Sequence, residues 1–274
     1  MAGPLHRLRT GIGQIGAALR PGSAPPVFTG TETPSPDRPV HVVGDLHGCR
    51  DLLDQLLDRI ADDCAAQSWP MADLVFVGDY IDRGPDSAAV LERLRALQSA
   101  TPDRIHCLRG NHEAMMLEFL DAPETRGAIW LANGGRETLQ SFGITVPVRL
   151  SAPDAFAALA DHARATLPAD LVQWTADRPL IWQSGNVVAV HAALDPALPP
   201  ADQLDATCLW GHRAFPRQPR ADGLWVVHGH RITVPPVAST GQISVDTGGF
   251  ARGQLSCAAL APGAPVRFLS VGQT

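Results

Sequence analysis

The chain contains no lysine: all 22 of its basic residues are arginine. That excludes Schiff-base chemistry on a lysine amine and a phosphate-binding P-loop built around a lysine. The five cysteines, at positions 49, 64, 107, 208 and 257, are odd in number and never stand as a Cys-x-x-Cys pair. A disulfide framework or a cysteine-ligated structural zinc is therefore not expected, and a reducing cytoplasm suits the chain best. No run of 18 apolar residues is present to span a bilayer, and the N-terminus lacks the compact apolar core and cleavage site of a secretory signal. A formal net charge of −6 argues against a general nucleic-acid binder, which would carry a basic face.

What is present is the composition of a globular protein, 45% hydrophobic and 18% charged over 274 residues, enough for one large domain or two ordinary ones. Residues 1–38 read as a separate arm. Leu5, Leu8, Ile12, Ile15 and Leu19 recur at helical spacing, but Gly11, Gly13 and Gly16 weaken any free helix there. A Pro/Ser/Thr/Gly-rich linker follows, expected to be flexible. From Pro39 onward one grammar repeats. PVHVV runs into GDLHG, DLVFV into GDYIDRG, RIHCL into RGNHE, NVVAV into HAAL and LWVV into HGHR. Each is a short apolar run followed at once by polar residues, as expected of buried strands opening into functional loops. Arg50–Asp62, Ser87–Leu97 and Glu113–Leu120 read as amphipathic helices between them. Strand–helix alternation predicts an α/β sheet whose ligand site lies beyond the carboxyl ends of its strands. From about 114 to 185 the pattern turns helical, with a helix opened by Pro153-Asp154 and another around Leu171–Trp174, so a helical insertion is expected within a single catalytic domain of residues 39–274. In that stretch WLANGGRETLQSFG carries turn signals, and Asn133-Gly134-Gly135 reads as a plain turn.

Six side chains at the strand ends offer metal donors: Asp45, His47, Asp79, Asn111, His191 and His230. Carboxylate, imidazole and amide oxygen together suit divalent transition metals, and the supply suffices for two ions. Paired ions about 3.5–4 Å apart polarise a shared water, and phosphate esters are the natural substrate for such a clamp. A lone histidine is usually a structural hydrogen-bonder, but membership of this ordered set favours function for His47, His112, His191 and His230. His41, His106, His162 and His228 have no such membership and are read as structural. Glu113 is expected to support the site from a helix N-terminus rather than to bind an ion. Cys49 is read as a small packed residue.

The ordered set GDLHG, GDYIDRG, GNHE, strand-end His191 and the Gly-His of HGHR resembles the metallophosphoesterases. In particular it resembles the bacterial branch of the serine/threonine phosphoprotein phosphatases, the group that includes the lambda phage phosphatase. The resemblance runs from about Val40 to Ala259. It implies a four-layer α-β-β-α sandwich and a binuclear centre that attacks phosphate with a metal-bound hydroxide. Asp45, His47 and Asp79 would hold the first ion, with Asp79 bridging to a second completed by Asn111, His191 and His230. Manganese is the expected metal, with iron and zinc as alternatives. His112 matches the family's general acid, Asp82 the carboxylate orienting it, and Arg83 a phosphate clamp. A second clamp is expected after Leu209-Trp210, at Arg213 or at His212. The expected substrate is a phosphorylated protein or another phosphomonoester. A symmetrical diadenosine tetraphosphate hydrolase is the enzymatic alternative, although such enzymes commonly have Ala-Arg where this chain has Asp82-Arg83. An inactive phosphoprotein-binding scaffold is the alternative of another class.

Overall fold

The computed structural model describes residues 33–150, 152–215 and 217–272. Residues 1–32, which hold most of the expected arm, lie outside the described residues. Ten strands follow in chain order: β1 (Val40–Val43), β2 (Asp73–Phe76), β3 (Ile105–Cys107), β4 (Ile181–Ser184), β5 (Val187–Val190), β6 (Trp225–His228), β7 (Val237–Ser239), β8 (Gln242–Ser244), β9 (Gln254–Leu260) and β10 (Arg267–Gly272). The helices that matter most for the site are α1 (Arg50–Gln67), α2 (Ser87–Ala100), α3 (Asn111–Asp121), α4 (Pro123–Trp130) and α5 (Arg136–Ser141), followed by α6 (Pro153–Thr166), α7 (Ala169–Ala176), α8 (Asp205–Trp210) and α9 (Gly249–Arg252).

The strands form two five-stranded mixed sheets, ordered β10-β9-β1-β2-β3 and β4-β5-β6-β8-β7. β1, β2 and β3 run parallel in the first sheet, and β5, β6 and β8 run parallel in the second. Alternation along each strand decides the layers. Val40, Val42 and Val75 pack against Val187, Ala189, Val227 and Ile243 between the sheets. Val43 and Phe76 turn the other way, onto Leu53 and Leu56 of α1 and Met115, Met116 and Phe119 of α3. Val188, Val190 and Val226 face outward from the second sheet onto Cys208 of α8, Leu194 and Phe215. The result is the four-layer sandwich, with a fourth layer made only of short α8 and loops. No helix among the described residues is long and apolar enough to cross a membrane.

Two local features differ from the sequence reading. Residues 181–184, inside the stretch read as helical, form β4, because antiparallel pairing with β5 overrides a pattern too short to declare itself. The last residues of the expected linker are fastened down. Ser35 N donates to Asn186 Oδ1 (2.5 Å), Asn186 Nδ2 to Thr33 O (3.2 Å), and Ser184 Oγ and Gly185 N donate to Asp37 Oδ2 (3.1 and 3.2 Å). Residues 33–37 thus clasp the turn between β4 and β5.

His41 and His228 are structural, each for a visible reason. His41 turns toward the helices, where Asp63 accepts from its Nε2 (2.9 Å) and is itself gripped by two bonds from Arg267. His228 ends β6 beneath Phe215, ring centroids 5.0 Å apart, and its Nδ1 lies 3.1 Å from Gly229 O. Burial pushes the His228 pKa down to about 4, against the ordinary 6.5. The unfolded chain therefore binds this proton more readily than the native protein. The stability that neutral His228 contributes is complete above pH 6.5 and is lost as pH falls toward 4, at about 1.4 kcal/mol per pH unit. In the metal-free protein, His228→Phe should therefore flatten the decline of unfolding free energy between those values by roughly one proton. Urea titrations at stepped pH measure it, and an unchanged slope would show that His228 is not held neutral.

Candidate functional site

The six donors all come together beyond the carboxyl ends of the parallel strands. Asp79 Oδ2 lies 3.6 Å from His47 Nε2 and 3.4 Å from His191 Nε2. Asn111 Oδ1 lies 2.8 Å from His191 Nε2 and 3.1 Å from His230 Nδ1. Asp45 Oδ2 accepts the backbone N–H of His230 (3.0 Å), so the first sheet is stitched to the second at the site itself. Two triads have donor atoms within 4.8 Å of one another: His47, Asp79 and His112, and Asp79, His191 and His230. Asp79 belongs to both.

The protonation states suit cations. His47 Nδ1 donates to Ile81 O (2.9 Å), which leaves a lone pair on Nε2, 3.0 Å from Arg83 Nη1 and 3.6 Å from Asp79 Oδ2, and burial pushes the pKa of the ring down to about 3. Burial likewise pulls His191 to about 4 and lowers His230. Asp79 stays ionised: burial opposes this, but the coupled imidazoles of His191, His112 and His47, among which His112 retains the proton, and the His112 backbone N–H outweigh it. Asp45 is pushed well above the usual carboxylate range by burial and by the charges of Asp246 and Asp79, and its Oδ1 is buried with no partner. An orphaned carboxylate oxygen beside neutral imidazole lone pairs fits divalent ions, which satisfy both at once.

His112 differs from the other imidazoles. Its Nδ1 lies 2.6 Å from Asp82 Oδ2 and its Nε2 3.8 Å from Asp79 Oδ2. Burial would lower its pKa, but Asp79 and Asp82 outweigh burial and raise it. Asp82 is itself fully buried and saturated. Trp130 Nε1 donates to both of its oxygens (3.0 and 3.2 Å), and Thr138 Oγ1 donates to Oδ1 (2.6 Å). Trp130 and Thr138 are functional neighbours that the sequence reading missed, because they lie in the stretch taken for turns. Gly134 belongs with them: its φ is 109°, and a Cβ there would lie 2.5 Å from Arg83 N. Asn133-Gly134-Gly135 is thus a close approach to the second motif, inside a π-turn spanning Leu131–Gly135. The useful signal was a tryptophan and a threonine bracketing two glycines.

Glu113 is no donor to the cluster. Its Oε2 accepts the N–H of Asp79 and of Gly110 (both 2.9 Å), and its Oε1 accepts those of Tyr80 (2.7 Å) and Ile81 (3.3 Å). The carboxylate so fixes the loop after β2 to the start of α3. Its effect is visible in the backbone. Among the described residues six non-glycines have positive φ, and five of them are His47, Asp79, Asp82, Arg83 and His230. Such conformations cost about 1–3 kcal/mol each and persist only where the surroundings over-determine them.

Arg83 lies at the rim, its Nη1 3.0 Å from His47 Nε2 and its guanidinium 4.7 Å from the Phe250 ring centroid. Phe250, absent from the sequence reading, also stands edge-on to His47 with centroids 4.9 Å apart. The second expected clamp, Arg213 or His212, follows the end of α8. Arg213 is exposed and bonds to none of the six donors, while His212 Nε2 turns to Asp195 at 3.8 Å. There α8 stops at Trp210, and Gly211 (φ 96°) redirects the chain.

Strand-end loops that gather carboxylate, imidazole and amide oxygen atoms in one place offer the donor chemistry of a metallohydrolase. Residues 38–244 match the calcineurin-like phosphoesterase family, and the chain belongs to it. Serine/threonine-protein phosphatase 1 of Salmonella typhimurium is 41% identical over 99 residues, which are 36% of this chain and 39% of that protein. The symmetrical bis(5'-nucleosyl)-tetraphosphatase of Janthinobacterium is 30% identical over 156 residues, 57% of this chain and 44% of that protein. The chain therefore spans well under half the length of these two relatives. A solved structure provisionally described as a diadenosine tetraphosphatase shares the fold, with a TM-score of 0.55 and 23% identity, over 86% of this chain and 94% of that one.

Replacing Glu113 by Gln would turn an amide N–H₂ toward two of the backbone donors. The buried donors left unpaired should lower stability by roughly 3 kcal/mol. Urea unfolding of the metal-free variant gives the figure directly, and a loss under about 1 kcal/mol would mean the four bonds do not hold the loops.

Proposed function

We propose that this metallophosphoesterase is a phosphomonoesterase acting on phosphorylated serine and threonine side chains of proteins. The observation that carries the reading is the buried pair of His112 and Asp82, 2.6 Å apart and beside Asp79. An alkoxide is a poor leaving group and needs a proton as the P–O bond breaks. His112 is held as a proton donor by Asp82, and Trp130 and Thr138 keep Asp82 in place. The leaving group of a dinucleotide phosphoanhydride is already a stable anion and gains little from such a donor. The Salmonella relative supports the same reading.

In this reading Asp45, His47 and Asp79 hold one divalent ion, and Asp79, Asn111, His191 and His230 hold the other. The mixture of carboxylate, imidazole and amide oxygen suits manganese, with iron and zinc as alternatives. When bound, the two ions neutralise phosphate charge and acidify a water for attack. Arg83, parked on His47 and Phe250, is free to swing its planar fork onto a phosphate oxygen. His47 and His191 remain neutral because they are buried. A complete donor set beside a proton donor speaks for an active enzyme rather than an inactive scaffold. The tetraphosphatase relative and the tetraphosphatase fold neighbour sustain the second reading, symmetrical cleavage of diadenosine tetraphosphate.

Turnover by purified protein should vanish with chelator and return with manganese. Asp79→Asn should cost most among the donor substitutions, since that carboxylate serves both ions. His112→Asn should lower kcat for a phosphoserine peptide by about 10²–10⁴-fold, and far less for nitrophenyl phosphate, whose nitrophenolate departs without a proton. The choice between readings is the ratio of kcat/KM for a phosphothreonine peptide to that for diadenosine tetraphosphate. A ratio well below one, unaltered by Asp82→Ala, would transfer the assignment to the dinucleotide.

A further inference from the structure

We infer that an apolar stripe from Phe250 to the open edge of the second sheet holds the polypeptide that flanks a phosphorylated residue; this rests on the phosphoester reading above. The stripe starts at the donor cluster. Phe250 stands edge-on to His47 with centroids 4.9 Å apart and lies 4.7 Å from the Arg83 guanidinium, yet it stays 37% exposed. Two residues earlier, Gly248 lies under Ile232. A Cβ on Gly248 would be 3.1 Å from Ile232 Cδ1 and 3.2 Å from its Cγ2. Ile232 is therefore fixed beside the loop that presents Phe250.

From Ile232 alternate side chains turn outward. Thr233 is held inward: its N–H donates to Asp246 O (2.8 Å), and its Oγ1 lies 2.7 Å from Ser244 Oγ. Ile232 and Val234, on either side of it, are 43% and 45% exposed. Val237, also 43% exposed, opens β7 opposite Ser244, which on its other side pairs with His228. β7 runs antiparallel to β8, so it begins at the end of the sheet where the donors lie. No strand pairs with its outer side among the described residues. Such an edge offers a row of backbone donors and acceptors to an incoming extended chain. Residues 232–245 include no charged side chain, so the added recognition is apolar. A polypeptide with apolar residues at alternate positions matches both the edge and the stripe. At about 3.3 Å per residue, the run from Ile232 to Val237 suits a flank of roughly four to six residues. A dinucleotide has no such flank.

The test uses phosphoserine peptides that share one core and are lengthened on one side or the other, with valine or aspartate at alternate positions of the added flank. In one of the two series the manganese-loaded full chain should favour the valine flank by about tenfold in kcat/KM, chiefly through KM. The preference should persist at high salt, because no ion pair creates it. Val234→Ser and Val237→Ser should each lower kcat/KM for the favoured peptide by about three- to tenfold, relative to nitrophenyl phosphate in the same preparation. Equal turnover of valine and aspartate flanks in both series would overturn the inference and leave the phosphoester reading intact. Sedimentation that showed the unmodified protein paired and Val237→Ser unpaired, with peptide turnover unmoved, would give the stripe to a second copy of the chain instead. If the unmodified protein turns over no phosphopeptide at all, the phosphoester reading falls together with this inference.

Discussion

A carboxyl group excluded from water must collect donors, and Glu113 collects four backbone N–H groups from two loops, although burial and the Asp79 charge still push its pKa up to about 7. Everything at the site depends on that demand. It draws the turn after β2 onto the first residue of α3, so that Asp79 and Asn111 arrive together. Gly78 and Gly110 are required by the same closeness, because a Cβ on either would run into the other loop's backbone. Four hydrogen bonds to one carboxyl group also explain how Asp79 can hold a left-handed backbone, φ 51°, inside a close-packed interior.

A second buried carboxylate, Asp82, repeats the arrangement with side chains in place of backbone. His112, Trp130 and Thr138 fill its acceptor sites, while its own N–H donates to Thr138 Oγ1 (2.8 Å) and Ser87 Oγ (3.1 Å). The segment from α4 to α5 is therefore tied to the chemistry through Asp82, Arg83 and Gly134. Such fully satisfied polar networks fix one geometry, since any rearrangement strands a buried donor. The left-handed residues His47, Asp79, Asp82, Arg83 and His230 store strain that these bonds offset.

How much of this was legible in the sequence varies residue by residue. Asp45, His47, Asp79, Asn111, His191 and His230 were legible because each follows a buried apolar run, and parallel strands deliver their ends to one place. The layered fold was legible for the same reason. Trp130 and Thr138 were not, because they reach Asp82 across 48 and 56 residues from a segment without strand-end character. β4 was hidden by its brevity, and the docked residues 33–37 by a composition shared with free linkers. Left-handed backbone at His, Asp or Arg is hard to read from sequence, because Asp and His are enriched there only several-fold.

The clasp of residues 33–37 on the turn between β4 and β5 has a spatial corollary. That turn lies at the amino end of β5, whereas His191 lies just past its carboxyl end. The attachment point at Thr33 is thus on the far side of the sandwich from the donor cluster. A molecule immobilised at Thr33 would stand with its donor cluster turned away from the support.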